Sequence, residues 1–127
     1  MSYTGHCNCG NVSITLAKQP ETSIICHCST CRRGGSSAFS INYCVDESDL
    51  TVEDPNGVLK VYKDHNTASG NVVQRRFCSN CASPVYGLSP RAPGKAFVKA
   101  GLFDSMSPPG MAVFEEQRQE WVTVNIA

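Results

Sequence analysis

Eight cysteines in a chain of 127 residues constrain this protein most, because seven of them fall into three tight clusters. The first cluster reads C-x-C at residues 7–9, the middle cluster C-x-C-x-x-C at 26–31 and the third cluster C-x-x-C at 78–81; Cys44 stands alone. Pairs this close are awkward for disulfides, but a short turn can aim two sulfurs at one metal ion about 2.3 Å from each. The first six residues lack the basic-then-apolar pattern of a secretory signal, which favours a reducing compartment. We therefore predict a cytoplasmic metal-binding protein and not a disulfide scaffold.

The spacing allows three divisions of the cysteines among metal ions. The first and third clusters can enclose one ion, while the middle cluster holds a second and keeps one position open. Alternatively, the last two cysteines of the middle cluster pair with the third cluster as a zinc ribbon, or Cys44 closes the middle cluster. A closed site is structural, whereas three protein ligands with a vacant fourth position are typical of a reactive zinc site. We prefer the first division because it uses every clustered cysteine.

The middle cluster differs from the other two in how much stability a metal could supply there. A metal that bridges the first and third clusters closes a long loop and stabilises a small protein. The middle cluster spans six residues and closes almost no loop. Stability therefore does not account for it, and we interpret the middle cluster as functional.

Charge and hydropathy exclude several classes of protein. Lys+Arg and Asp+Glu both number 11, so the formal net charge is +0, which argues against a nucleic-acid partner and a polybasic membrane surface. No apolar stretch approaches the roughly 20 residues that a membrane helix needs. At this length we predict that residues 1–127 form a single zinc-binding domain.

Strand patterns predominate along the chain, and no window shows a sustained helical period. The clearest strand is 11–16, where apolar and polar residues alternate. Weaker strand patterns occur at 22–26, 37–43, 72–77, 96–100 and 121–126. We expect a mainly β fold, with at most one helical turn after Cys28 and loops at 89–93 and 107–110.

One turn pattern predicts a hairpin. The segments 50–53 and 58–62 flank Asp54-Pro55-Asn56-Gly57. Proline second and glycine fourth favour a type I turn. We therefore expect these two segments to pair.

Three stretches together resemble one known family. They are GHCNCGNV at 5–12, CHCSTCRRGG at 26–35 and RFCSNC at 76–81. In order and type they are similar to the three motifs of the glutathione-dependent formaldehyde-activating enzyme family, which includes centromere protein V. The resemblance implies an Mss4-like fold of twisted antiparallel sheets with two zinc ions per chain. It implies a structural zinc on Cys7, Cys9, Cys78 and Cys81, and a reactive, catalytic zinc on Cys26, Cys28 and Cys31.

The resemblance also implies a reaction. Family members of this type join the sulfur of glutathione to formaldehyde, forming S-hydroxymethylglutathione, so they are carbon–sulfur lyases. Zinc bound by three thiolates is a poor Lewis acid and suits the binding of an incoming thiol as thiolate, which is the nucleophilic form. We expect an enzyme that makes or breaks a C–S bond between a thiol and an electrophilic carbon such as an aldehyde. The alternative is a non-catalytic zinc module that binds a protein or nucleic-acid partner, and we also allow for a homodimer.

The sequence departs from the family pattern after the third cluster. The family has glycine there, whereas this chain has Ala82. If that position needs a positive φ, alanine costs about 1 kcal/mol.

Several residues outside the predicted metal-ligand sets are candidates for substrate binding or for packing. Arg32 and Arg33 follow the middle cluster and are candidates to bind carboxylates of the thiol, and so is the pair 75–76 beside the third cluster. The alternative is that these arginines offset thiolate charge or are solvated. His27 is a further substrate-binding candidate, but its alternation with the flanking cysteines favours a packing role. We expect Cys44 to be a small buried residue and Trp121 to lie in the core.

Overall fold

The computed structural model describes residues 2–127 and contains two β-sheets and little helix. Within these residues the strands are β1 (Tyr3–His6), β2 (Ser13–Leu16), β3 (Ser23–Cys26), β4 (Ser40–Asp46), β5 (Leu50–Glu53), β6 (Leu59–Asp64), β7 (Val73–Cys78), β8 (Pro84–Leu88), β9 (Lys95–Lys99) and β10 (Pro109–Val113). The α-helix α1 spans Ser29–Gly35, and single 3-10 turns occur at Glu47–Asp49, Ala100–Leu102 and Glu115–Gln117. The predicted mainly β fold is confirmed.

The strands form a three-stranded sheet, β1-β2-β5, and a seven-stranded sheet, β10-β3-β4-β9-β8-β7-β6. Every pairing is antiparallel except that of β10, which lies parallel to β3. The expected antiparallel sheets are thus present, with one parallel pairing at the β10 edge of the large sheet. Among residues 2–127, no helix is both long enough and apolar enough to cross a membrane.

The core lies between the two sheets and follows from the alternation in the sequence. In β2, Ile14 and Leu16 are 1% exposed, while the alternate residues Ser13 and Thr15 are half-buried. Burying such a side chain contributes roughly 1.5–3 kcal/mol. They pack with Tyr43 and Val98 from the large sheet and with Phe103. The alternating stretch 11–16 is thus a strand as predicted, with its apolar face in the core.

The predicted hairpin does not form, although its turn does. Gly57 N donates to Asp54 O at 3.1 Å, which closes the turn. The Asp54 carboxylate then accepts hydrogen bonds from the backbone N–H groups of Val58 and Leu59, at 2.9 and 3.0 Å. Strand β5 pairs with β2 and β6 pairs with β7. The turn carries the chain from one sheet to the other, which local turn chemistry could not reveal.

Several other expectations were wrong. Residues 121–126 are not a strand, and Trp121 is 79% exposed. Part of the expected loop 107–110 is strand, because β10 begins at Pro109. The helix after Cys28 is seven residues long and not a single turn. The sequence patterns also missed β1 and β8, since four- or five-residue strands carry little periodic signal.

Candidate metal centres and the adjoining cavity

The structure divides the clustered cysteines into two groups. In each group the sulfur atoms all lie within 4.8 Å of one another. The closed cluster comprises Cys7, Cys9, Cys78 and Cys81, and the open cluster comprises Cys26, Cys28 and Cys31. Among the described residues, Cys44 belongs to neither group. The zinc-ribbon division and the division in which Cys44 completes the middle cluster were therefore wrong.

The closed cluster has the dimensions of a tetrahedral thiolate site. The sulfur of Cys9 lies 3.6 Å from that of Cys7 and 3.7 Å from that of Cys78. Four ligands about 2.3 Å from a tetrahedral zinc ion stand roughly 3.8 Å apart. Two of the sulfurs are buried, one is half-buried and one is exposed. The donor set and its spacing fit zinc.

Two turns, one from each sheet, build the closed cluster. Cys7 follows β1 of the small sheet, and the Gly10 N–H donates to the Cys7 carbonyl at 3.0 Å. Cys78 ends β7 of the large sheet, and the Ala82 N–H donates to the Cys78 carbonyl at 2.7 Å. The Asn8 N–H reaches the side-chain oxygen of Ser83 at 3.1 Å, which joins the turns directly. A metal held there would bind the two sheets to each other.

Ala82 adopts the backbone conformation that the family glycine predicts. Its φ is 67°, in the left-handed region. The turn needs that conformation because the 2.7 Å hydrogen bond from Ala82 back to Cys78 closes it. Alanine at this φ costs about 1 kcal/mol relative to glycine, so the chain carries local strain beside the closed cluster.

Hydrogen bonds lower the pKa of two thiols in the closed cluster. The pKa of the Cys81 thiol is lowered to about 5, chiefly by its hydrogen bond with the Ser83 hydroxyl, 3.2 Å away. The pKa of Cys9 is lowered to about 7, chiefly by a hydrogen bond from the Asn80 side chain. Burial has the opposite effect on Cys78, whose pKa it raises to about 11. Thiolates are the metal-binding form of cysteine, so the lowered pKa values of Cys81 and Cys9 favour metal binding near neutral pH.

The open cluster is built on one strand end and one helix start. Cys26 ends β3, and its sulfur lies 3.3 Å from that of Cys31 in the first turn of α1. Cys28 is the N-cap of α1, and its sulfur accepts a hydrogen bond from the Cys31 N–H at 3.3 Å. The Thr30 hydroxyl lies 3.2 Å from the same sulfur.

The pKa values of Cys28 and Cys26 in the open cluster are shifted in opposite directions. The pKa of Cys28 is held well below its usual range, first by its hydrogen bond with Cys26 and then by that with Cys31. The pKa of Cys26 is raised, first by the same hydrogen bond with Cys28. Three sulfurs at these distances compete for protons. A cation relieves such competition, so this donor set also fits a thiolate-bound metal such as zinc.

A cavity of about 250 Å³ opens beside the open cluster. All three cysteines of the open cluster line it, and none of the closed cluster does. The rest of its lining includes the apolar side chains of Phe97, Val113 and Phe114 and the cationic side chains of Arg75, Arg76 and Lys99. Small-molecule sites are mostly apolar hollows with a few placed polar groups, so this cavity suits a small ligand that approaches the three sulfurs.

The three cations of the cavity have different partners. Arg75 is ion-paired with the buried Asp64 at 2.6 Å. Arg76 lies over the ring of Tyr86, 5.4 Å from its centroid. In the sequence these two arginines neighbour the third cluster, but in the structure both line the cavity of the open cluster. Lys99 was missed, because strand periodicity predicts β9 but not which cavity its residues face.

Three of the other residues predicted to bind substrate lie outside the cavity. His27 is 1% exposed, and its ring packs edge-on against Phe39 with centroids 5.8 Å apart. Arg32 is half-buried and Arg33 is exposed on α1. None of the three lines the cavity. Cys44 is exposed, so the expectation that it is buried was wrong; it lies in β4 between the buried Tyr43 and the half-buried Val45, and successive side chains of a strand point to opposite faces of the sheet.

The chain belongs to the glutathione-dependent formaldehyde-activating enzyme family, whose model matches residues 2–122. A Halomonas elongata protein named "putative glutathione-dependent formaldehyde-activating enzyme" is 29% identical over 131 residues, covering 98% of this chain and 82% of that protein. An uncharacterized lyase of Schizosaccharomyces pombe is 28% identical over 102 residues, covering 80% of this chain and 68% of the yeast protein. A crystal structure of a Rhodobacter sphaeroides protein superposes with a TM-score of 0.63 at 26% identity, covering 83% of this chain and 91% of that one. The family resemblance predicted from the three motifs is thereby confirmed.

Proposed function

We propose that this protein is a zinc-dependent carbon–sulfur lyase that joins a thiol such as glutathione to formaldehyde or a similar electrophilic carbon, or reverses that reaction. One observation carries the proposal: the three-sulfur cluster opens into a cavity, whereas the four-sulfur cluster does not. Membership of the formaldehyde-activating family supports the choice of substrates. The lyase name of the yeast relative is consistent with the reaction class.

Two zinc ions per chain are part of the proposal. The closed cluster would hold a structural ion, and Cys26, Cys28 and Cys31 would hold the reactive one as catalytic ligands. Bound there, zinc favours an incoming thiol in its ionised form. Reduced thiols in both clusters fit a reducing compartment, so we also propose that the protein works in the cytoplasm.

The surrounding residues suit an anionic thiol. Phe97, Val113 and Phe114 supply apolar surface to the cavity wall. Arg75 and Arg76 on the cavity wall would attract the carboxylates of glutathione. This pair was one of the two arginine pairs that the sequence offered for that role, and the other pair, Arg32 and Arg33, does not line the cavity.

The test is an exchange measurement by NMR. Glutathione and ¹³C-formaldehyde also form their adduct without a catalyst, so the exchange rate between free and glutathione-bound formaldehyde is measured with and without the protein that carries two zinc ions. We expect faster exchange with the wild type and the uncatalysed rate with Cys31→Ser. The matched control is Cys44→Ser, which removes an exposed cysteine outside both clusters and is expected to match the wild type. If no thiol perturbs the NMR spectrum of the protein, the proposal is overturned in favour of the non-catalytic binding module.

A further inference from the structure

Lys99 lines the cavity, yet the proposed function gives it no specific role. Its ammonium donates a hydrogen bond to the Asn42 side-chain oxygen at 2.9 Å. The ion pairs of the described residues are Arg75–Asp64 and Lys95–Asp46, so Lys99 has no carboxylate partner in residues 2–127. An ammonium has three donors, and the bond to Asn42 uses one of them.

A chain of contacts across adjacent strands holds Lys99 in place. Asn42 of β4 is paired in register with Lys99 of β9, and Asn42 also donates to the Ser40 hydroxyl at 2.9 Å. Ser40 is paired in register with Cys26 of β3. The side-chain oxygen of Asn42 thus orients the Lys99 ammonium. The side-chain nitrogen of Asn42 is held by Ser40, which lies beside the open cluster.

The dimensions leave room for a substrate between Lys99 and the cysteines. Strands β3 and β9 flank β4, so their backbones stand two spacings, or roughly 10 Å, apart. A lysine side chain spans much of that distance, and both Lys99 and the three sulfurs face the same cavity. A small substrate bound in this cavity can therefore reach both the ammonium and the sulfurs.

Keeping a lysine in this position has an energetic cost. Desolvation lowers the pKa of Lys99, while the charges of Cys31, Cys26 and Cys28 favour its protonated form. Lys99 is half-buried, and an ammonium without a carboxylate partner is unfavourable in such a position unless another anion compensates it. An uncharged residue would pack there at less cost, so the cation points to negative charge that arises within the cavity.

We propose that Lys99 is a further catalytic residue, which binds the oxygen of the electrophilic carbonyl and stabilises the negative charge that develops there. This inference rests on the proposed function. The thiol releases its proton to solvent, a sulfur electron pair forms the C–S bond, and the C=O π pair moves onto oxygen. The oxygen accepts a hydrogen bond from Lys99 and regains a proton from water. Thiol and carbonyl thereby give a hydroxyalkyl thioether, and nothing is oxidised or reduced.

The experiment separates thiol binding from the bond-forming step. In Lys99→Met the exchange rate at saturating glutathione is expected to fall about 100-fold, the loss typical of removing one oxyanion donor. The glutathione Kd, measured by calorimetry without formaldehyde, and the content of two zinc ions are expected to stay unchanged. The matched control is Lys95→Met, the same substitution on the same strand outside this cavity, which is expected to keep the wild-type rate.

Each outcome distinguishes the two proposals. A wild type that neither binds thiols nor accelerates exchange overturns the proposed function and this inference with it. An active wild type and an equally active Lys99→Met overturn the inference alone, as does a Lys99→Met that loses glutathione affinity in proportion to rate. A second variant, Asn42→Asp, pairs the ammonium with a carboxylate without removing it. We expect about a 10-fold slower exchange, and an unchanged rate in this variant also overturns the role of Lys99.

Discussion

The two cysteine clusters use the same donor atoms in opposite settings. The closed cluster draws its ligands from turns that belong to different sheets, and its fourth sulfur completes a tetrahedron. The open cluster takes all its ligands from residues 26–31 and borders a cavity with apolar and cationic walls. Under the proposed function, the source of the ligands along the chain, and not their chemical type, separates the structural site from the reactive one.

Removing a ligand from the closed cluster is the strongest test of that difference. Cys81→Ser is expected to abolish cooperative folding, because structural zinc contributes about 10–16 kcal/mol in small domains and net stability is about 5–15 kcal/mol. Thermal melting followed by circular dichroism, with metal analysis of the soluble fraction, measures this. A Cys81→Ser protein that melts like the wild type with two ions bound would break the comparison.

Removing a ligand from the open cluster is expected to spare the fold. Cys28 is the N-cap of α1, and serine is a preferred N-cap residue, so Cys28→Ser removes a metal ligand while keeping the helix capped. We expect loss of one zinc ion and of thiol binding, with a change of about 1 kcal/mol in the free energy of unfolding. Urea unfolding and metal analysis check both. Unfolding as complete as that of Cys81→Ser would show that both ions are structural.

Each cluster has one hydroxyl 3.2 Å from a sulfur, which allows a paired test. Because Ser83 lowers the pKa of Cys81 to about 5, ionised Cys81 stabilises the fold above the pKa of the unfolded chain, and this contribution is lost as pH falls through about 5. Ser83→Ala raises that pKa, so protons displace the metal at a pH higher by roughly half a unit. Metal release during acid titration, followed with a chromogenic chelator, measures the shift. Thr30→Val beside Cys28 is the matched variant and is expected to alter retention of the other ion; a Ser83→Ala titration identical to the wild type contradicts the assignment.

The smallest effect concerns the strained turn of the closed cluster. Ala82 is exposed and has a φ of 67°, so Ala82→Gly is expected to raise the free energy of unfolding by about 1 kcal/mol. The reciprocal control is Gly10→Ala in the first-cluster turn, where φ is 82° and a Cβ would meet no atom within 4 Å; it is expected to lose about as much. Denaturation midpoints in urea measure both. Stabilisation by both substitutions would show that φ does not limit stability at these turns.

The sequence predicted the local features of the molecule well and the distant ones poorly. Tight cysteine spacing and three family motifs were enough to predict the two metal clusters, and the alternation at 11–16 predicted β2, because each depends on neighbouring residues. The hairpin failed because strand partners are chosen by the whole sheet. The position of Lys99 depends on the order β3-β4-β9, and the exposure of Trp121 depends on what covers the C-terminal segment. Neither leaves a signal in a short window of sequence.

The wide separation of the closed cluster's ligands has a consequence for biosynthesis. On the ribosome, residues 26–31 emerge together, so the nascent chain can present the open cluster to zinc long before residue 81 is translated. Synthesis proceeds at about 5–20 residues per second, so the 50 residues from Cys31 to Cys81 take roughly 3–10 s. Under the proposed function, the open cluster can therefore acquire its ion during translation, whereas the closed cluster can bind a metal only after Cys81 has emerged.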